Sequence, residues 1–286
     1  MKELVVISGK GGAGKTSVLA ALAGLAQNKV VVDCDVDAAD LHLIFSPEVR
    51  KTFDFVGGKK ASIVSEKCVG CGRCVEVCKF GAVSDSFKID PVSCEGCGAC
   101  YFQCPVSAID FTPAVSGRWY ESDTRFGKLV HARLGVAEEN SGKLVSEIKS
   151  YARDIAEKEG CSLVLCDGSP GVGCAVIASV SCADMALVVI EPTLSGIHDA
   201  ARVFELARRF GVTLAACVNK FDLNLRLTAE IRSFCEKNSA EVVGEIPYSK
   251  DFVAAMNAKK TVVEFNPESP AAREIKKMWK IISQKL

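Results

Sequence analysis

One octet brings together residue types that grip a phosphate chain: Gly9-Lys10-Gly11-Gly12-Ala13-Gly14-Lys15-Thr16. Its glycines let backbone N–H groups turn inward with no Cβ in the way, and a helix opening behind them aims its free amides at the same point. Lys15 has the reach for β- and γ-phosphate oxygens, and the Thr16 hydroxyl suits Mg²⁺. Gly11, Gly12, Ala13, Gly14, Lys15, Thr16 and Ser17 are therefore the expected phosphate contacts. The apolar run Leu4-Val5-Val6-Ile7 precedes the loop and a helix-like run from Ser17 to Ala26 follows it, the strand–loop–helix order a cradle needs. A glycine-rich turn that only joined strand to helix would require neither Lys15 nor Thr16.

A second chemistry lies in sulfur. The chain has 15 cysteines and enters an apolar strand almost at once, leaving no room for a signal peptide. Reduced thiols, metal ligation and a cytoplasmic setting follow, rather than disulfides. Eight of the thiols are spaced Cys68-x2-Cys71-x2-Cys74-x3-Cys78 and Cys94-x2-Cys97-x2-Cys100-x3-Cys104-Pro105. This duplicated run resembles that of bacterial ferredoxins. The tight spacing lets three thiolates of one loop cap three irons of a cubane, and the fourth ligand comes from the other half. Two [4Fe-4S] clusters are thus expected, one on Cys68, Cys71, Cys74 and Cys104, the other on Cys94, Cys97, Cys100 and Cys78. Gly70, Gly72, Gly96 and Gly98 let backbone amides approach the sulfurs. The competing ligand is zinc, although Cys₄ zinc sites rarely interleave two sets of this spacing. Lys79 stands where the first repeat would carry proline, and either adds a positive charge near a cluster or relaxes a turn. The other cysteines sit singly in apolar runs and read as buried or interfacial thiols.

Carboxylates supply the third set. Val30-Val31-Val32 runs into Asp33-Cys34-Asp35-Val36-Asp37, and Leu163-Val164-Leu165-Cys166 runs into Asp167-Gly168-Ser169-Pro170-Gly171. Apolar runs ending in acid read as buried parallel strands, and ligands of open α/β sheets gather at such carboxyl ends. Asp33, Asp35 and Asp167 are then placed to hold Mg²⁺ or orient water, or one of the first group caps the next helix, expected from Ala38 to Phe45, as Asp37 is expected to. Gly168 and Gly171 allow a loop that rearranges with the γ-phosphate.

With Lys10 inside the loop, the octet resembles the deviant Walker A of the MinD/ParA ATPases and the nitrogenase iron protein. That resemblance implies that Lys10 reaches across a dimer to the partner's nucleotide. It makes 33–37 switch I, with Asp33 near the metal and Asp35 positioning water, and makes Asp167 the Walker B acid. Asn219-Lys220-Phe221-Asp222 resembles the family's base-recognition corner, where the Asn219 amide would read adenine as donor and acceptor and Pro247-Tyr248 would wall the base. ATP with Mg²⁺ is the implied substrate. Cys174 follows Asp167 at a spacing unlike that of the iron protein's bridging switch II cysteine.

These residues need a frame. Strand-like runs at Met185–Ile190, Val212–Val218 and Glu241–Ile246 alternate with helix-like ones, including 197–210, which predicts α/β: a doubly wound, mostly parallel sheet. The alternation stops between about Gly57 and Pro113, so the expected domains are 1–57 and 114–286 for the ATPase and 58–113 for an inserted ferredoxin-like α+β module. Residues 113–127 show no period, Ser141 is placed to cap a helix over Leu144–Lys158, and His131 reads as a packed residue. Arg118, Arg125, His131 and Lys143 lie between the cysteines and Asp167, which suggests coupling. The C-terminal stripe Ile275, Met278, Trp279, Ile282 and Leu286 suits packing on the sheet better than a membrane surface. A net charge of zero argues against nucleic acid as a partner.

Three functions fit this reading. The first is an ATP-gated electron-transfer protein acting on a redox or metalloprotein partner, as a homodimer or a heterodimer with a paralogue. The second is an iron–sulfur carrier, weakened by the lack of a CxxC outside the ferredoxin run. The third is a redox-sensing positioning ATPase of the ParA/MinD kind.

Overall fold

A computed structural model describes residues 1–135 and 141–286. In chain order the elements are β1 (Lys2–Ser8), α1 (Lys15–Leu25), β2 (Lys29–Asp33), α2 (Leu41–Phe45), β3 (Glu48–Ile63), α3 (Arg73–Val77) and α4 (Ala99–Gln103). They continue with β4 (Ile109–Thr124), β5 (Gly127–Leu134), α5 (Ser141–Glu159), β6 (Leu163–Pro170), α6 (Cys174–Val180), β7 (Met185–Ile190) and α7 (Leu194–Arg209). The last are β8 (Thr213–Asn219), α8 (Leu225–Lys237), β9 (Glu241–Ile246), α9 (Asp251–Asn257), α10 (Val262–Phe265) and α11 (Pro270–Ser283). The strands form one sheet of nine in the order β3-β4-β5-β2-β6-β1-β7-β8-β9. From β5 to β9 every neighbouring pair is parallel.

Parallel strands bury both faces, which is why β1, β2, β6, β7 and β8 are continuous apolar runs. α1, α2 and α11 cover one face, where Leu4, Val6, Leu19, Leu22, Phe45, Leu165 and Leu187 share a core. α5 and α6 pack against each other, α5 on β2 and α6 on β6. Val32 pairs with Cys166 and Asp33 with Asp167, so two acids end neighbouring strands side by side. β1 lies between β6 and β7, and the chain winds away from it in both directions. That reversal opens a crevice beyond the carboxyl end of β1.

The C-terminal helix is a packed element. Ser269 caps it through the Ala272 amide, and Ile275, Met278 and Ile282 are fully buried. Burial of each is worth about 2 kcal/mol. α11 lies so close to β9 that a Cβ on Gly244 would fall 2.0 Å from Met278 Cγ.

The chain divides into two compact units. Met1–Thr52, Trp119–Arg133 and Ser141–Leu286 make the sheet and its helices; Phe53–Arg118 with the short segment from Leu134 makes the other. The second unit has a small core of Ala61, Cys74, Val83 and Ile109, edged by Ile63, Phe87, Ile89, Phe111 and several cysteines. Val83 and Ile89 form an antiparallel bridge within it.

Several local expectations need correcting. Residues 113–127 are not aperiodic coil: β3 and β4 are strands of 16 residues each, and β4 ends in a tight turn at Arg125-Phe126. β3 is mostly exposed and the buried residues of β4 are scattered along it, so no apolar run marked them. α2 begins at Leu41 rather than Ala38, α7 at Leu194 rather than at residue 197, and Ser141 lies inside α5 rather than capping a helix at Leu144.

Candidate functional site

The crevice over β1 holds a cavity of about 590 Å³. Gly11, Gly12, Gly14, Lys15, Thr16 and Ser17 floor it, Asp35, Asp37 and Asp40 form a second wall, and Ser169, Pro170 and Cys174 a third. Gly14 precedes the first turn of α1 at φ +93°, and a Cβ there would sit 2.3 Å from Asn219 Nδ2. Only glycine meets both conditions. α1 therefore opens with free amides facing the cavity, which suits an anion of nucleotide size.

Lys15 is almost fully buried and lies among acids. Its Nζ is 3.0 Å from Asp167 Oδ1, 3.2 Å from Asp35 Oδ2 and 3.2 Å from Thr16 Oγ1. Burial alone would lower the lysine pKa, but the Asp167 and Asp35 carboxylates outweigh it and hold Lys15 above its ordinary value. Burial raises Asp167, and burial together with the adjacent Asp167 charge raises Asp33 well above the usual carboxylate range. One lysine thus serves three acids. Asp167 Oδ2 is buried with no hydrogen-bond partner, a vacancy suited to a cation or its water shell.

Asp33 is occupied differently. Its Oδ1 accepts from the Asp35 amide and its Oδ2 from the Leu41 amide, both at 3.2 Å. The acid that caps α2 is therefore Asp33, not Asp37. A side chain four positions upstream of the expected cap, at the carboxyl end of β2, reaches the helix amide first.

Lys10 and Lys220 meet over the loop on a residue that motif reading passed over. Glu191, just past the end of β7, takes Lys10 Nζ on Oε2 at 3.0 Å and Lys220 Nζ on Oε1 at 2.7 Å. An acid at the carboxyl end of the strand beside β1 was the signal available for it. Lys220 also approaches the Gly12 carbonyl at 3.4 Å. Asn219 donates from Nδ2 to the Ala13 carbonyl at 2.8 Å, and its Oδ1 is buried and unpartnered. One N–H of Asn219 is thus engaged by the loop, while its Oδ1 acceptor stays open. Pro247 lies apart from the cavity described above, in a groove with Phe221 and Pro270.

Three of the residues suspected of coupling, Arg125, His131 and Arg118, have local partners of their own. Arg125 clamps Glu264 at 2.9 Å and the carbonyls of Ile44, Phe45 and Lys259. His131 bonds Ser122 Oγ at 2.9 Å, and burial pushes its pKa down to about 4, so it packs as a neutral ring. Arg118 pairs with Asp54.

In the second unit the eight cysteines sort into two cavities. Cys68, Cys71, Cys74 and Cys104 wall one of them. Cys78, Cys94, Cys97 and Cys100 wall the other. Among the described residues, no three His, Cys, Asp or Glu side chains close on a point that would hold a single metal ion.

Residues 4–262 match the family model of the CobQ/CobB/MinD/ParA nucleotide-binding domain. The chain belongs to that family. An uncharacterized protein of Methanocaldococcus jannaschii is 39% identical over 225 residues, 78% of this chain and 79% of its own length. The MinC:MinD cell division complex of Aquifex aeolicus aligns with a TM-score of 0.60 at 19% identity, over 99% of this chain and 96% of that one. MinD of Pyrococcus horikoshii, solved with Mg-ADP, gives 0.59 at 15% over 99% and 96%. The chain is thus a MinD/ParA-type ATPase, with the α/β sheet of those neighbours. Among the described residues no helix is long and apolar enough to cross a membrane.

Proposed function

We propose that this ATPase couples a nucleotide-driven dimer switch to electron transfer through two [4Fe-4S] clusters held by residues 58–113. The observation that carries the reading is the sorting of eight cysteines into two cavities, each walled by the four that the interleaved spacing assigns to one cluster. The donor set fits the group: thiols alone, four to a cavity, with Gly70, Gly72, Gly96 and Gly98 in left-handed conformations that turn amides toward them. Bound clusters would supply one-electron redox chemistry at low potential.

The chain's own residues do the rest. Lys15 and the α1 amides take the phosphates, and Thr16 with Asp167 holds Mg²⁺, the ion bound with ADP in the P. horikoshii neighbour. A bound polyphosphate gives Lys15 a further partner and draws it from Asp35. Asp35, free of the lysine, then orients the attacking water. Asn219 Oδ1, an acceptor only, faces the amino edge of adenine, and Phe221 and Pro247 wall the base. Lys10 serves the partner's nucleotide in a dimer of identical or paralogous chains, and a redox or metalloprotein partner takes the electron.

A second reading is a redox-sensing positioning ATPase, favoured by the cell-division proteins among the structural neighbours. Iron and sulfide analysis with anaerobic EPR separates the two when titrated with and without MgATP. The proposal expects about eight irons and eight sulfides per chain, with a midpoint potential or line shape that moves with nucleotide in the wild type and not in Lys15→Ala. Zinc in the cysteines would overturn it. Clusters indifferent to nucleotide, with an ATPase rate set by a membrane or partner, would favour positioning.

A further inference from the structure

Lys10 is fully engaged within its own chain. Its ammonium has three donors, and three acceptors meet it: Glu191 Oε2 at 3.0 Å, Thr193 Oγ1 at 3.2 Å and Ser195 Oγ at 3.4 Å. Glu191 and Thr193 belong to the β7–α7 connection and Ser195 to the first turn of α7. Thr193 is itself anchored, capping α7 through the Gly196 amide. The backbone beside Lys10 is held too, since a Cβ on Gly9 would fall 2.4 Å from Asp199 Cβ. Only the Lys10 side chain is left to move.

Glu191 takes part in nothing else that the phosphate site needs. Its second oxygen holds Lys220, whose backbone stands at φ +58°, an uncommon conformation for a residue other than glycine. When Lys10 swings away, Glu191 keeps Lys220 as a counter-ion and no bare carboxylate remains. An ion pair that can lose one partner and stay neutralised makes a cheap release. Without Lys220, removing Lys10 would strand a half-buried acid.

We propose that Glu191 is a positioning residue, a latch that holds Lys10 in its own subunit and sets the nucleotide concentration at which it is released to act across the dimer. The proposal rests on the dimeric reading above. The competing attraction is the partner's polyphosphate, whose several charges outbid one shared carboxylate. Thr193 and Ser195 add hydrogen bonds that steer the lysine back after release.

The test is sedimentation of the full chain during titration with a non-hydrolysable ATP analogue and Mg²⁺. Glu191→Gln keeps the shape and removes the charge. It should form the dimer at about fivefold lower analogue concentration, the scale of one partly exposed ion pair. In a Lys10→Ala background the same substitution should make no difference. An unchanged threshold in Glu191→Gln, or a shift that persists without Lys10, would overturn the latch. Amine labelling read by mass spectrometry on the nucleotide-free chain separates this from failure of the dimer reading. If no variant dimerises, that reading fails. Faster labelling of Lys10 in Glu191→Gln still supports the latch, and equal rates sink it.

Discussion

In the parallel sheet, Lys15, Asp33, Asp35 and Asp167 are set by strands and a helix whose apolar residues bury one another without any ligand. In Phe53–Arg118, eight cysteines hang on two helices of five residues and their flanking loops, around a small cluster of Ala61, Cys74, Val83 and Ile109. The first region spends its apolar surface on order and can afford a buried electrostatic conflict at its active site. The second has too little core to be ordered by burial alone, so the inorganic group proposed for it would also be its main cross-link, as metals are in other small domains.

The sharpest way to break that contrast is to remove the metal. Chelation under reducing conditions, or Cys74→Ser with Cys100→Ser, should open Phe53–Arg118 to protease while nucleotide binding survives. Limited proteolysis with mass spectrometry reads this directly, and simultaneous cleavage throughout the chain would show that the regions are not separate in stability. Next in size is Lys15→Ala. It leaves Asp33, Asp35 and Asp167 facing one another, so nucleotide-free stability should fall by about 3 kcal/mol in a denaturant titration, on top of lost nucleotide binding.

Acidity probes the same conflict. Asp33 and Asp167 have pKa values raised by burial, so the native state holds protons that the unfolded chain releases. Their contribution falls as pH rises through the native pKa values and is regained as pH falls toward the ordinary carboxylate value, about 4. His131 acts in the opposite sense between about 6.5 and 4, because buried neutral imidazole must be given up to bind a proton. The difference between wild type and Asp167→Asn isolates the acid pair. Without Mg²⁺ the variant should be the more stable above neutrality, by about 1 kcal/mol, and the gap should close as pH falls. A gap independent of pH would mean that the carboxylates are not in conflict. Of similar size is Arg125→Ala, which loses Glu264 and three carbonyls. A cost of about 1–2 kcal/mol in thermal unfolding is expected, with ATP turnover unchanged; lost turnover would restore a coupling role for that side chain.

How much was legible follows the same division. Buried parallel strands announce themselves, since Val30–Val32, Leu163–Leu165 and Met185–Ile190 have no polar alternation to confuse. The loop glycines, Lys15 and Thr16 were readable because each is demanded by chemistry as well as by backbone. β3 and β4 were hidden because β3 mostly faces water and the buried positions of β4 include Ser116, Glu121 and Ser122, which leaves no hydrophobic period. Glu191 was hidden for another reason. Its role depends on two lysines from distant parts of the chain, Lys10 and Lys220, meeting one carboxylate, and no local spacing encodes that. Asp33 taking over the cap expected of Asp37 is likewise a matter of which carboxylate the folded loop brings to the Leu41 amide.

The chain leaves the sheet unit after Thr52 and returns to it at Trp119, on strands that are neighbours in the sheet. A long excursion between adjacent strands costs chain entropy only logarithmically in its length. Replacing Phe53–Arg118 by a tight hairpin turn would change loop closure by about 2–3 kcal/mol in favour of folding. The ATPase can therefore acquire, lose or exchange whatever is threaded between β3 and β4 at little thermodynamic cost. Such a joint is a port, and the same nucleotide machine could be fitted there with a different instrument.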